Sequence, residues 1–185
     1  MKTLEVRRHS ARKASGGGSQ LSQEGVVRAR QLGERLGPFA RVVASVVPRS
    51  RETAIAMGFA VDYELVTLAA DEPFFVEADA DRWWESPQPF VAAARLIGAQ
   101  GAAWRYAHSL ASLWRDIVTA LPDGAAALLI GHSGEIELAL VACFPQLDHA
   151  AWGGPFAPLE GARLVFDGEP QHFTGLELLR EHGQA

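Results

Sequence analysis

The fold is decided by the stretch Leu4-Glu5-Val6-Arg7-Arg8-His9-Ser10, close to the first residue of the chain. Apolar residues at positions 4 and 6 predict a short strand that ends at Arg8. Two side chains able to do chemistry, Arg8 and His9, therefore stand at the carboxyl end of that strand. Ligands of parallel α/β sheets bind beyond these strand ends, so the pattern predicts a functional site around His9.

The same arrangement recurs after two later strands. A β-branched run over Arg41–Val47 predicts a buried strand, and Pro48-Arg49 follow it. A second apolar run, Ala126–Ile130, is followed by Gly131-His132-Ser133-Gly134. Because parallel strands end at the same edge of a sheet, we expect two histidines and two arginines to meet there.

Helical patterns fill the segments between the strands, over residues 21–36, 49–58, 90–99, 102–121 and 135–144. Further strands are predicted at 61–66 and 162–166, and the C-terminal stretch carries only a weak signal. This alternation predicts an α/β fold, with a mostly parallel sheet between two layers of helices in a three-layer α/β/α sandwich.

The length of 185 residues fits a single domain, since domains average ~150 residues. Residues 68–101 differ in character, because acidic residues, prolines and aromatic residues are interleaved there. We interpret them as an insertion or partial lid within one domain, 1–185. The Trp83-Trp84 pair in this segment either caps a substrate or packs the insertion.

Composition excludes several classes of protein. A hydrophobic fraction of 48% with 21% charged residues is typical of a globular chain. The net charge of −5 disfavours nucleic acid and membrane partners, which select positive surfaces. The single cysteine, Cys143, excludes an internal disulfide. With no signal peptide pattern and no apolar run near the ~20 residues of a membrane span, we expect a cytoplasmic protein.

The residues gathered at the predicted edge suit phosphoryl transfer. Arginine presents forked donors that match phosphate oxygens, and an imidazole is neutral and nucleophilic near neutral pH. A metal site built from the two histidines with Asp71 or Glu72 is the rival interpretation. It is weaker because the arginines would repel a cation and no His-x-x-x-His spacing occurs. We therefore expect neither metal nor cofactor.

Four motifs, in order, make the sequence resemble the histidine phosphatase superfamily, which includes the cofactor-dependent phosphoglycerate mutases. The family's Arg-His-Gly corresponds to Arg8-His9-Ser10, with serine in place of glycine. Its Leu-(Ser/Thr)-x-x-Gly motif corresponds to Leu21–Gly25, and its Ser-x-x-x-Arg-Ala-x-(Glu/Gln)-Thr-Ala motif to Ser45–Ala54. Its Gly-His-(Gly/Ser)-Gly corresponds to Gly131–Gly134. The resemblance implies a phosphoglycerate mutase-like fold.

The resemblance also implies roles for individual residues. His9 would attack phosphorus and become a phosphohistidine, while the phosphoryl group is bound by Arg8, Arg49 and His132. Arg12 and Ser133 are further candidates for phosphate binding, although Arg12 is equally compatible with a solvated surface position. A carboxylic acid would protonate the leaving oxygen. Glu72 is the best positional match, and the alternatives are Asp71 beside it and Glu135.

The function implied is a metal-independent phosphatase that hydrolyses a small phosphomonoester. Three alternatives stay open: mutase-type phosphoryl transfer, dephosphorylation of phosphohistidine in proteins, and non-catalytic binding of a phosphorylated ligand. The sequence determines neither the substrate nor the oligomeric state. We interpret three further basic residues near the start of the chain as surface charge, namely Lys2, Arg7 and Lys13.

Overall fold

The computed structural model describes residues 1–14, 19–69, 72–81, 83–168 and 172–180; for 72, 79–81 and 85 it describes the backbone alone. Within these residues six strands form one sheet in the order β3-β2-β4-β1-β5-β6. They are β1 (Lys2–Arg8), β2 (Arg41–Ser45), β3 (Tyr63–Leu65), β4 (Ala126–Gly131), β5 (Gly161–Asp167) and β6 (His172–Leu179). The first four strands run parallel, and β5 is antiparallel to both of its neighbours.

Six α-helices connect these strands in the described part of the chain. They are α1 (Gln23–Gly33), α2 (Pro48–Ala56), α3 (Glu72–Asp81), α4 (Pro89–Gly98), α5 (Ala102–Thr119) and α6 (Glu135–Cys143). Short 3₁₀ turns lie at Val66–Leu68, Trp83–Glu85 and His149–Trp152. None of the described helices has the length and apolar character needed to cross a bilayer.

The two faces of the sheet bury two separate cores. Along β4, Ala127 and Leu129 belong to the larger core with residues of α3 to α6, whereas Leu128 and Ile130 belong to a smaller core with residues of α1 and α2. This alternation follows from the two-residue period of a strand, whose successive side chains point to opposite faces. The predicted three-layer α/β/α arrangement with a mostly parallel sheet is confirmed.

Two elements were not predicted. Helix α3 lies inside the segment interpreted as an insertion, and its carboxylate Glu77 accepts hydrogen bonds from the N–H groups of Ala102 and Ala103, at 2.5 and 3.1 Å. The first N–H groups of a helix have no acceptor within the helix. By accepting from them, Glu77 connects α3 with the start of α5. Strand β6 is the second missed element, and it forms the edge of the sheet beside β5.

The structure corrects the expectation that Arg7 is a surface charge. The residue is only 7% exposed; Nε lies 2.5 Å from Glu5 Oε1, and Nη1 donates to the Leu159 carbonyl at 2.7 Å. Glu5 also accepts hydrogen bonds from Arg163. Because β1 is an interior strand, both of its faces are covered, and charged residues there persist only when they are paired.

Candidate active site

The register of the sheet brings the three predicted strand ends together. Arg8 at the end of β1 lies opposite Gly131 at the end of β4, and the His9 N–H donates to the Gly131 carbonyl at 3.0 Å. Ala44 of β2 lies opposite Ile130, so α2 starts at the same edge. Proline at the first position of α2 suits a helix start, and it places Arg49 in the first turn.

The hydrogen bonds of His9 define its tautomer. Ring atom Nδ1 lies 2.7 Å from the Ser10 carbonyl, which can only accept, so Nδ1 carries the proton. Atom Nε2 accepts a hydrogen bond from Arg49 Nε at 2.9 Å. Both contacts require the same neutral tautomer, in which the lone pair of Nε2 faces the guanidinium group.

Arg49 bridges the two histidines. Its Nη2 lies 3.0 Å from His132 Nδ1, and His132 Nε2 lies 3.3 Å from the Ser50 hydroxyl. The guanidinium can only donate, so His132 carries its proton on Nε2. The centroids of the two imidazole rings are 5.2 Å apart, so both side chains belong to the same site.

Both histidines are held neutral. Burial, followed by the charges of Arg49 and Arg8, lowers the pKa of His9 to about 4. Burial and the charge of Arg49 lower the pKa of His132 to about 3. A neutral imidazole retains the lone pair that a nucleophile needs, so the site keeps His9 reactive far below neutral pH.

We expect the free energy of unfolding to fall as the pH is lowered from 7 to 5. The unfolded histidines take up protons near pH 6.5 while the folded ones do not, so the unfolded state binds more protons in this window. The loss amounts to about 1–2 kcal/mol per histidine, measured by urea denaturation across this range. Replacing His9 and His132 together by glutamine should make the free energy of unfolding less dependent on pH, whereas His108→Gln should not. An unchanged pH dependence in the double variant would contradict the lowered pKa values of His9 and His132.

Two further arginines make the site strongly cationic. Arg8 donates to the Phe156 carbonyl at 2.5 Å, while its buried Nε has no hydrogen-bond partner among the described residues. Burial lowers the pKa of Arg8, and so does the charge of Arg12. Arg12 is exposed and borders the cavity that also contains His9 and Arg49. Burial lowers the pKa of Arg49, and the charge of Arg12 lowers it further. Arg12 therefore belongs to the local positive field, as expected of an anion site.

Ser10, which departs from the family's glycine, is accommodated by its own hydrogen bonds. The buried hydroxyl donates to the Gly25 carbonyl of α1 at 2.7 Å, and the Ser10 N–H donates to Thr53 Oγ1 at 3.0 Å. Glycine at position 25 also lets the backbone of Ala11 pack against α1, since a Cβ there would lie 2.1 Å from the Ala11 carbonyl oxygen. The serine thus fixes the loop after β1 against α1 and α2.

Glu137 is a site residue that the sequence analysis missed. Its fully buried carboxylate accepts hydrogen bonds from the Ser133 hydroxyl at 3.0 Å, the Gly134 N–H at 2.5 Å and the Phe156 N–H at 2.9 Å. The Phe156 carbonyl in turn accepts from Arg8. Glu137 therefore connects the turn that carries His132 with Arg8. The available signal was a glutamate three residues after the turn glycine, which is typical of a helix-capping box.

The structure describes the three candidate acids to different extents. Glu72 begins α3, but its side chain lies outside the described part of the structure, as does Asp71 altogether. Glu135, the alternative, is buried at the first position of α6 and lines the cavity beside His132. Burial lowers the pKa of Arg49, and the negative charge of Glu135 opposes that shift.

One cavity of about 1100 Å³ contains most of these groups. Its polar lining consists of Arg8, His9, Ser10, Arg12, Arg49, His132, Ser133 and Glu135. Its apolar lining includes residues of α3 and the following turn, namely Phe74, Phe75, Val76, Ala78, Trp83 and Trp84. Among the described residues, no group of three or more histidine, cysteine, aspartate or glutamate side chains is arranged to hold a metal ion.

Comparison with solved structures identifies the fold. A mycobacterial glucosyl-3-phosphoglycerate phosphatase superposes with a TM-score of 0.66 at 20% identity over 100% of both chains. Phosphoserine phosphatase from Entamoeba histolytica, in complex with 3-phosphoglyceric acid, gives 0.62 at 12% identity over 98% of both. The protein histidine phosphatase SixA with tungstate gives 0.53 at 18% identity over 95% of this chain and 96% of that one.

No protein-family model matches the chain, and no curated protein sequence matches it significantly. The likeness to the solved structures is therefore one of fold, over nearly the whole length of each chain.

Proposed function

We propose that this chain, whose fold is that of the histidine phosphatases, hydrolyses a small phosphomonoester through a phosphohistidine on His9. One observation carries the proposal: the unprotonated Nε2 of His9 faces an arginine-lined cavity and lies 2.9 Å from Arg49 Nε. A bound phosphoryl group would take over that arginine contact and present its phosphorus to the same lone pair.

The reaction would proceed in two displacements. In the first, the lone pair of His9 Nε2 forms a bond to phosphorus, and the bond from phosphorus to the ester oxygen breaks as an acid donates a proton to that oxygen. In the second, water attacks the phosphohistidine, gives its proton to the same carboxylate, and releases phosphate and free His9. The charge on the three phosphoryl oxygens would be stabilised by Arg8, Arg49 and His132, with Arg12 at the rim.

The chemistry needs no metal or other cofactor in this proposal. Two half-buried guanidinium groups, those of Arg8 and Arg49, supply the positive charge that a divalent cation supplies in other phosphatases. The expected partner is thus a small phosphorylated substrate. A cytoplasmic location belongs to the same proposal and rests on the sequence pattern alone.

The decisive experiment traps the intermediate. The protein is mixed with a ³²P-labelled phosphomonoester in the presence of a chelator, quenched in alkali, which preserves phosphohistidine, and digested for mass spectrometry. We expect label on the peptide that contains His9 and stoichiometric release of phosphate into water. His149→Gln is the matched control, since that histidine lies outside the cavity and contacts the Phe144 carbonyl.

The alternatives give different results in that experiment. A mutase would return the label to a second hydroxyl of its substrate, and a binding module would form no labelled peptide. A protein phosphohistidine phosphatase would release phosphate from a phosphorylated histidine peptide and spare small esters. Absence of label on His9 together with absence of phosphate release would overturn the proposal.

We expect Glu72→Gln to slow the hydrolysis of an alkyl phosphate by about a hundredfold, and that of a 4-nitrophenyl ester by only a few-fold. The acid matters when the leaving alkoxide is basic and hardly at all when the leaving group is an acidic phenol. Glu72 is favoured because it stands at the start of α3, the helix that supplies Phe74 and Phe75 to the cavity wall.

Glu135→Gln is the paired variant for this measurement, with kcat determined for both esters. Should Glu135→Gln show the leaving-group dependence and Glu72→Gln lack it, the acid is Glu135. Equal losses on both esters for both variants would count against either residue as the acid.

A further inference from the structure

The described side chains that α3 and the following turn contribute to the cavity are apolar, whereas those around His9 are polar and cationic. We infer that the substrate carries an aryl or similarly bulky apolar group next to its phosphate. This inference rests on the proposed function and specifies the substrate class of that same site. It comes from the positions of the residues that α3 and the following 3₁₀ turn contribute to the cavity.

The apolar wall is firmly attached to the body of the protein. Phe74 packs its ring against Tyr106 of α5, with centroids 4.9 Å apart, and Glu77 binds the first N–H groups of α5. Trp83 is buried against the turn that carries His132, since a Cβ at Gly134 would lie 3.4 Å from its ring. The wall is therefore a preformed surface that adjoins the phosphate site directly.

Two apolar side chains of this wall are exposed to solvent, which is energetically unfavourable. Phe75 is 57% exposed and Val76 is 68% exposed, and both line the cavity. Large apolar side chains clustered at the mouth of a polar cavity are typical of a ligand-binding surface. An apolar group on the substrate would cover them and remove their surface from water.

Among the described lining residues, the positive charge is confined to the surroundings of His9. The cationic side chains among the described lining residues are Arg8, Arg12 and Arg49, and all of them belong to the phosphate side. The described lining residues of α3 and the turn are all apolar. A carboxylate or second phosphate placed against them would lose its hydration without gaining a partner, which is strongly unfavourable.

The size of the cavity is consistent with this class of substrate. Its volume of about 1100 Å³ lies just above the range of pockets for drug-sized ligands, roughly 300–1,000 Å³. An isolated phosphate group fills a small part of it. The remaining space adjoins aromatic rings, against which a flat ring system can stack.

The test compares 3-phenylpropyl phosphate with propyl phosphate, because the two leaving alcohols have nearly equal acidity and differ in the ring alone. We expect kcat/KM for the phenyl ester to be at least about tenfold higher, as burial of a ring implies. Phe75→Ala and Trp84→Ala should each lower this ratio several-fold, through a larger rise in KM for the phenyl ester than for the propyl ester. Trp104→Ala is the matched control, since Trp104 is a partly exposed tryptophan of α5 outside the cavity.

Failure of the inference is distinguishable from failure of the proposed function. Equal kcat/KM for the two esters, or faster hydrolysis of phosphoserine or 3-phosphoglycerate than of the phenyl ester, would overturn the substrate class and leave His9-dependent hydrolysis intact. Absence of hydrolysis of every ester would overturn the function instead. Calorimetric binding of phenylbutyl and butyl phosphonates then decides the inference without catalysis: tighter binding of the phenyl compound supports it, and equal binding overturns it.

Discussion

Replacing His9 with alanine is expected to lower kcat by at least about 10⁴-fold, because the variant lacks the imidazole that attacks phosphorus in the proposed reaction. The hydroxyl of Ser10 donates to the Gly25 carbonyl, and that of Ser133 donates to Glu137. The thiol of Cys143 lies outside the cavity, and burial raises its pKa to about 12. None of these described hydroxyl and thiol groups is thus positioned and activated to attack at the phosphate site.

The measurement is phosphate release under single-turnover conditions, together with the labelled-peptide assay. His9→Ala should still bind tungstate, because the arginines are retained, and tungstate binding then shows that the variant is folded. His149→Gln should match the unmodified protein in both assays. Retention of phosphate release by a folded His9→Ala protein would disprove covalent catalysis at this residue.

Arg49→Ala is expected to lower kcat/KM by about 10³-fold, at the upper end of the effect of removing one donor from a transition-state site. A single guanidinium group contacts His9 Nε2 and His132 Nδ1, so its loss removes phosphate binding and also the alignment of both rings. Arg49→Lys should recover little of the activity, since an ammonium group cannot span two acceptors in one plane.

Arg49→Ala should also change the pH dependence of the reaction. The charge of Arg49 helps to lower the pKa of both histidines, so its removal raises them. Activity requires neutral His9 and falls as the pH drops through its pKa, which is about 4 in the unmodified protein. The acid limb of the kcat/KM profile should therefore lie at higher pH in the variant. An unmoved acid limb would contradict the assignment of that limb to His9.

The sequence was sufficient for the parts of the fold that follow simple periodic rules. Strand β1, strand β4 and helix α5 agree with the prediction to within a few residues, because their apolar patterns have one clear period each. The common edge of Arg8, Arg49 and His132 followed from the rule on strand ends in parallel sheets, which needs no knowledge of side-chain contacts.

The remaining features depend on tertiary contacts. Helix α3 contains Pro73 and acidic residues that suggest a loop, yet proline is tolerated in a first turn and Glu77 is used by α5. Strand β6 has Gly175 in its middle and gains its order by pairing with β5. The sequence offers Glu137 only as a capping residue of α6, because its other backbone partner, Phe156, becomes a neighbour only in the folded chain.

The pairing of Arg8 with Gly131 has a consequence for folding and for turnover of the protein in the cell. Residues close to the start of the chain meet residues from its second half, so the binding site exists only after the central strands have assembled. An oxyanion that binds there recognises the fully folded chain and stabilises it by mass action against global unfolding. Phosphate, the product of the proposed reaction, would thereby slow proteolysis of the enzyme that releases it.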